Sequence, residues 1–219
     1  HKLLQKEPKK NTVVLMVGGE GRRLRPLTNK TPKPLLNVGS KPLLERILIQ
    51  FSNSGFRNFY LSIFYKSTMI KDYFGKGEKW DLNIKYLEED KPLGTAGALG
   101  LLPESLNGLP LILMNGDLLT SLNFSHLLEF HESSPSLATI CVSEYEDQVP
   151  YGVVNIKNSR VESIVEKPSN KYFINAGIYV LNPEVIKLIK RNEYLDMPDL
   201  LKELVKKKEK INTFYLKEY

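Results

Sequence analysis

The sequence has one cysteine, one tryptophan and three histidines in 219 residues. A single cysteine cannot close an internal disulfide. Cys141 lies inside the apolar stretch 137–142 and reads as a small core residue, not a reactive thiol. No apolar run approaches the ~18 residues that a membrane-spanning helix needs. The opening His1-Lys2-Leu3-Leu4-Gln5-Lys6-Glu7 carries no signal-peptide hydrophobic segment. The corresponding expectations are no membrane partner and a cytoplasmic location. Internal repeats and low-complexity tracts are missing as well. His126 and His131 stand five residues apart in a helical pattern and share no face, so they read as surface or packing residues, and no nucleophile–base set emerges.

Charge of one sign is not concentrated either. The net charge of +6 suits phosphate-bearing ligands, but the basic residues are spread along the chain, with Lys206-Lys207-Lys208 as the one run. That run follows Leu200, Leu201, Leu204 and Val205 at helical spacing and reads as a solvated helix end. Aromatic residues do not interleave with the lysines, so no nucleic-acid partner is expected.

What is present is a globular α/β pattern. Hydrophobic residues at 42% and charged residues at 26% sit near globular averages. A chain of this length buries roughly 70% of its unfolded surface without staples. Residues 1–11 are polar and Lys-rich, begin without methionine, and read as a linker or tail. The run 12–17 is continuously apolar and ends in glycines, as a strand buried on both faces does. Leu43, Leu44, Ile47, Leu48 and Phe51 form one helical face between Pro42 and Gly55. Further strands are expected at 58–64, 82–87, 109–114, 137–142, 173–181 and 211–216. Helices are expected at 69–74, 96–102, 126–131, 183–190 and 199–207. Segments 153–156 and 161–165 flank Lys157-Asn158-Ser159-Arg160 and predict a hairpin. The alternation predicts an α/β fold with a Rossmann-like, mainly parallel sheet flanked by helices and a small substrate-side hairpin lobe. Residues 12–145 form the expected nucleotide-binding half, and 146–219 the substrate-side half on the same sheet.

The chemistry concentrates after the first strand. Gly18-Gly19-Glu20-Gly21-Arg22-Arg23-Leu24 stands where ligands bind in open α/β sheets, beyond a strand's carboxyl end. Glycines there let backbone N–H groups approach phosphate oxygens, and the two arginines add positive charge. The segment lacks the Gly-Lys-Ser/Thr ending of a P-loop, and no helix pattern follows at once. Downstream, Lys33 is held between Pro32 and Pro34, which restrict where its ammonium points. Taken singly, Asn115-Gly116-Asp117 also fits a simple turn, Glu166-Lys167 a surface ion pair, and Glu88-Glu89-Asp90 a solvated loop.

Taken in order, the blocks resemble a family. Gly18-Gly19-x-Gly21-x-Arg23-Leu24-x-Pro26-Leu27-Thr28 and Pro32-Lys33-Pro34-Leu35 resemble the signature of the sugar-1-phosphate nucleotidyltransferases. The likeness continues through Pro92-Leu93-Gly94-Thr95-Ala96-Gly97-Ala98, Asn115-Gly116-Asp117, Tyr151-Gly152-Val153-Val154, Glu166-Lys167-Pro168 and Asn175-Ala176-Gly177-Ile178-Tyr179. It covers about residues 12–180 and is closest in look to the mannose-1-phosphate guanylyltransferase-like members. The resemblance implies a nucleoside triphosphate, with GTP favoured, and a sugar 1-phosphate as partners, and Mg²⁺ as cofactor. It implies that Gly18, Gly19, Gly21 and Arg22 bind the triphosphate and that Arg23 and Lys33 are catalytic. Glu88 or Glu89, with Gly94, falls where the family recognises the base, and of the two Glu88 is the choice here. Asp117 matches the metal carboxylate. Gly152, Glu166, Lys167, Asn175 and Gly177 match the sugar-phosphate pocket.

Two departures stand out. Arg22 occupies a position where the family commonly has a small hydroxyl residue. A further metal aspartate, in a Trp-x-Asp-x-Gly-like block, normally follows a strand like 211–216, and this chain ends at Tyr219. The domain is therefore read as cut short at its C-terminus, with weak Mg²⁺ binding and little activity expected of this stretch. The polar leader leaves room for an appended regulatory domain or a homo-oligomer. The competing readings are a transferase for another base, or for a non-sugar phosphate such as phosphocholine, and a non-catalytic nucleotide-sensing subunit.

Overall fold

In the computed structural model, residues 7–104, 106 and 108–216 are described. The first strand, β1 (Lys9–Met16), ends at the glycine-rich loop, as its apolar run predicts. It starts three residues early, so part of the expected linker is strand; residues 1–6 lie outside the described residues. Two short strands, β2 (Asn37–Val38) and β3 (Lys41–Pro42), lead into α1 (Leu43–Asn53). Then follow β4 (Phe56–Ile63), α2 (Ser67–Phe74), β5 (Asn83–Glu88), α3 (Gly94–Gly97) and β6 (Leu111–Asn115). The chain continues with α4 (Phe124–Glu132), β7 (Ala138–Gln148), the hairpin β8 (Val153–Lys157) and β9 (Arg160–Val165), and β10 (Ser169–Leu181). It closes with α5 (Pro183–Ile186), α6 (Met197–Lys206) and β11 (Ile211–Leu216).

Seven strands form one sheet in the order β11-β7-β10-β6-β1-β4-β5. All neighbours run parallel except at β10, which is antiparallel to both β6 and β7. The expected mainly parallel sheet is therefore the one observed. The sheet spans both expected halves, and the boundary near 145 falls within β7.

Burial on both faces explains the unbroken apolar reading of β1. Val13 and Leu15 face α1, α2 and α4, while Val14 faces α3, α5 and α6. On the first side Phe51 and Phe124 stack with ring centroids 3.7 Å apart, and Phe56 meets Phe51 edge-on at 5.6 Å. His131 is buried. Its Nε2 is 3.0 Å from Asn182 Oδ1 and its Nδ1 2.8 Å from Thr139 Oγ1, joining α4 to the ends of β7 and β10. It is a packing residue, and His126 is exposed, as expected. Cys141 is fully buried, and burial pushes its thiol pKa up to about 12, which leaves it inert near neutrality.

Three elements differ from the sequence pattern. The helix expected at 96–102 is one α-helical turn followed by a 3-10 turn, with Gly97 and Gly100 packed close against the backbone of Glu193 and Lys190. The helix expected at 183–190 ends at Ile186. Strands β7 and β10 run longer than their apolar segments. Past the last described residue of β11 they pair only with each other among the described residues, from Glu144↔Phe173 to Gln148↔Ser169, and form a ribbon that carries the β8–β9 hairpin.

Candidate active site

The main concavity, about 580 Å³, opens beyond the carboxyl ends of β1, β4, β5 and β6. The glycine-rich loop forms its floor. Val17 N donates to Ser62 O at 3.0 Å and Tyr65 N to Gly18 O at 3.3 Å, so the β1–β4 ladder continues into the loop. Gly21 has φ +62°, and a Cβ there would sit 2.8 Å from Thr28 Cγ2. Only glycine takes this turn without strain. The Thr28 hydroxyl donates to Gly21 O at 2.9 Å and clamps the loop on itself.

The cations around this cavity differ in how they are engaged. Arg22 forks onto Glu20, with Nε to Oε2 at 2.7 Å and Nη2 to Oε1 at 3.0 Å; Arg25 also reaches Glu20 at 3.4 Å. The hydrogen bond from Arg22 holds the Glu20 carboxyl below its ordinary pKa. Arg23 lines the cavity and makes no hydrogen bond or ion pair with another described residue. Lys33 begins a short 3-10 turn after extended Pro32 and packs beside buried Pro34. Its ammonium crosses the cavity to Asp117 Oδ2 at 2.6 Å. Asp117 stands two residues beyond β6, and Gly116 before it packs against Val17 and Met16.

The two glutamates after β5 separate. Glu88 points away from the cavity and pairs with Lys71 of α2 at 3.0 Å. Glu89 lines the cavity, accepting from the Ser62 hydroxyl and, on Oε2, from Leu93 N at 2.8 Å. Strand parity explains this. Ile84 and Tyr86, on the face of Glu88, pack with α2, while Leu87, on the face of Glu89, packs with Ala96 and Leu99. Of the two, Glu89 and not the chosen Glu88 lines the cavity, where it stands with Gly94, Pro92 and Phe64 on one wall.

A second concavity of about 390 Å³ shares Thr95 and Asn115 with the first. It opens where β10 bulges between Asn175 and Tyr179. Gly177, at φ +72°, presses against the Asn115 amide; Asn175 accepts from Gly177 N at 2.9 Å and donates to the Tyr179 hydroxyl at 2.6 Å. Asp196 and Asp199 complete its acidic side. The hydrogen bond from the Tyr194 hydroxyl, with those from Thr95, holds the Asp196 carboxyl below its ordinary range.

Gly152, Glu166 and Lys167 come together elsewhere. A Cβ on Gly152 would be 2.9 Å from Glu166 Oε2, and Lys167 N donates to Tyr151 O at 3.2 Å. They sit exposed at the base of the β8–β9 hairpin and line neither concavity. The sequence pattern did not single out Phe64, Asn115, Tyr179, Asp196 or Asp199 as lining residues. Asn115 lay within a recognised block, whereas Asp196 reaches the site only through tertiary packing.

The profile of the nucleotidyl transferase family matches residues 12–219. The chain belongs to this family. Among curated relatives, it is 38% identical over 185 residues to the mannose-1-phosphate guanyltransferase of Yarrowia lipolytica, covering 80% of this chain and 50% of that protein. It is 36% identical over 186 residues to the mannose-1-phosphate guanyltransferase of Saccharomyces cerevisiae, covering 80% and 51%. The chain spans about half the length of these relatives. Among solved structures, HddC from Yersinia pseudotuberculosis, also solved complexed with GMP-PN, superposes with a TM-score of 0.72 at 29% identity, covering 95% of this chain and 92% of that one. A putative glucose-1-phosphate thymidylyltransferase from Bacillus anthracis shares the fold, with a TM-score of 0.76 at 23% identity, covering 95% and 87%.

Among the described residues no helix is long and apolar enough to cross a membrane. The lysine run behaves as expected: α6 ends at Lys206, which pairs with Glu203 at 2.7 Å.

Proposed function

We propose that this chain is the nucleotide-binding and catalytic part of a sugar-1-phosphate nucleotidyltransferase that joins GTP to a sugar 1-phosphate and releases pyrophosphate. The observation that carries the reading is one cavity, beyond parallel strand ends, holding the glycine-rich loop, Lys33, Asp117 and an Arg23 that has no partner among the described residues. In the proposed reaction a sugar-phosphate oxygen attacks the α-phosphorus in line, one P–O bond forms, the α–β P–O bond breaks, and pyrophosphate leaves. The protein supplies position and charge, with no covalent intermediate. Gly18, Gly19 and Gly21 offer backbone donors to the triphosphate, Arg23 and Lys33 offset the charge that develops on it, and Arg22 stays with Glu20.

Mg²⁺ fits this donor set. Asp117 is a half-exposed hard-oxygen donor facing the phosphate cradle. Among the described residues no group of three or more His, Cys, Asp or Glu gathers to hold a metal alone. Asp117 would therefore hold an ion whose remaining ligands are phosphate oxygens and water, the usual arrangement for Mg²⁺. When bound, the ion neutralises charge on those oxygens.

The base is assigned to the wall of Phe64, Glu89 and Gly94. Glu89 is locked by Ser62 and Leu93 and presents acceptor oxygens, which suits the adjacent N–H donors of guanine. The names of the curated relatives and the GMP-PN complex support the same choice. The sugar is assigned to the second concavity with Asn175 and Gly177. Assigning Gly152, Glu166 and Lys167 to the sugar phosphate rests on sequence pattern alone.

A pyrophosphate-release assay on the full-length protein, with the five common nucleoside triphosphates against hexose 1-phosphates, tests the reading. Release with GTP and mannose 1-phosphate, and far less with the others, is expected. Release with another base would overturn the guanine assignment, and none with any pair would overturn the enzyme reading in favour of a nucleotide sensor.

A further inference from the structure

Asp196 stands at the N-cap of α6, with φ −90° and ψ 148°, yet its side chain makes no hydrogen bond to that helix. A carboxylate in this position ordinarily accepts from its own helix's first turn. Instead, Oδ1 accepts from Thr95 N at 3.1 Å and from the Thr95 hydroxyl at 3.3 Å, in the first turn of α3. The role left open is filled by Thr95, whose Oγ1 accepts from Met197 N at 2.8 Å, at the start of α6. Each residue thus satisfies a free donor in the other's helix, across 101 positions of sequence.

The backbone reinforces this seam. Ala96 N and Gly97 N both donate to Leu195 O at 2.9 Å, and Leu195 N donates to Leu93 O at 2.9 Å. Gly94 has φ +78°, and a Cβ there would lie 2.6 Å from Leu195 O and 2.9 Å from Asp196 Oδ1. The seam closes only with glycine at that place. The Tyr194 hydroxyl donates to the second Asp196 oxygen at 2.6 Å, so the carboxylate is held on both sides. Gly94 and Thr95 line the first concavity, while Thr95 and Asp196 line the second. The seam is the partition between them.

We propose that Asp196 is a positioning residue that, by holding Thr95, fixes the wall common to both concavities and so sets the fit of both substrates. This rests on the transferase reading above. Its test is steady-state pyrophosphate release, calorimetric GTP binding and thermal melting on Asp196→Ala, Asp196→Asn, Thr95→Val, Thr95→Ser and the Asp196→Ala/Thr95→Val double variant.

Asp196→Ala and Thr95→Val should each raise KM for both substrates about tenfold, with kcat within about threefold of wild type. The double variant should be no worse than the poorer single one, because one interaction is removed by either change. Thr95→Ser keeps the hydroxyl and Asp196→Asn keeps an acceptor for Thr95, so both should stay within about threefold. A lowered melting midpoint with unchanged KM values would overturn the proposal in favour of a purely structural contact. Additive losses in the double variant would overturn it in favour of direct contact between Asp196 and substrate. If the wild-type protein binds GTP without releasing pyrophosphate, the transferase reading fails alone. Equal GTP affinity across the variants then overturns the positioning role, and a matched weakening in both single variants supports it. Absence of GTP binding in the wild type overturns both.

Discussion

Replacing Asp117 with Asn should change triphosphate binding in opposite directions with and without magnesium. Lys33 Nζ lies 2.6 Å from Asp117 Oδ2, with side chains 29% and 46% exposed. In this state the lysine proposed to hold phosphate is neutralised by the carboxylate proposed to hold metal. Binding of metal-free triphosphate must break that pair and then bring phosphate toward the freed carboxylate. An ion pair this exposed is worth about 1 kcal/mol, well below its Coulomb value at contact. Removing it should tighten metal-free GTP binding about fivefold. With Mg²⁺ present, the same substitution removes the proposed protein ligand of the ion and should weaken binding. Calorimetric titration of GTP in EDTA and in millimolar Mg²⁺ reads both signs on the same protein. In EDTA, Lys33→Gln should cost little in the wild-type background and several-fold more beside Asp117→Asn. Unchanged or weaker metal-free binding by Asp117→Asn, or equal effects of Lys33→Gln in the two backgrounds, would refute the reasoning.

Arg23→Ala should reduce kcat about 10²- to 10³-fold, as loss of a donor aimed at developing charge does, while Arg22→Ala, already occupied by Glu20, should stay within about fivefold; single-turnover pyrophosphate release separates them. Phe51→Ala removes a fully buried ring stacked on Phe124 and should cost about 3–5 kcal/mol in urea unfolding. Glu45 is buried, which raises its pKa, but hydrogen bonds from Lys41, Tyr73 and Trp80 outweigh that and leave it below the ordinary 4.5. A depressed carboxylate stabilises the fold above its unfolded value and loses that contribution as pH falls through the folded one. The urea midpoint of the wild type should therefore exceed that of Glu45→Gln at pH 6, and the gap should shrink steadily below pH 4.5.

Legibility in the sequence followed burial. β1 was readable because Val13, Val14 and Leu15 are all inaccessible, so an apolar run directly reports a two-sided strand. α1 was readable because Leu43, Leu44, Ile47, Leu48 and Phe51 form one buried stripe. The ribbon of β7 and β10 was not, because residues 144–148 and 169–173 are exposed and held by backbone pairing, which leaves no apolar alternation to detect. Adjacent Glu88 and Glu89 are the same letter in the sequence; the packing of α2 on one face distinguishes them. Asp196 reads locally as an ordinary helix cap, and its attachment to Thr95 exists only once two distant helices meet. The glycine-rich loop and Lys33, which line one cavity, were legible because glycines and a proline-flanked lysine record backbone demands directly.

Among the described residues the β8–β9 hairpin is hydrogen-bonded as a sheet only to itself and rides on a ribbon two strands wide. Its opening therefore does not require the seven-stranded sheet to open. In amide hydrogen exchange, the hairpin should report a small local free energy, while Val13, Val14 and Leu15 should exchange only through global unfolding. Two clocks would then run in one chain, and a ligand that engages Glu166 or Lys167 would slow the fast clock and leave the pace of local opening elsewhere untouched.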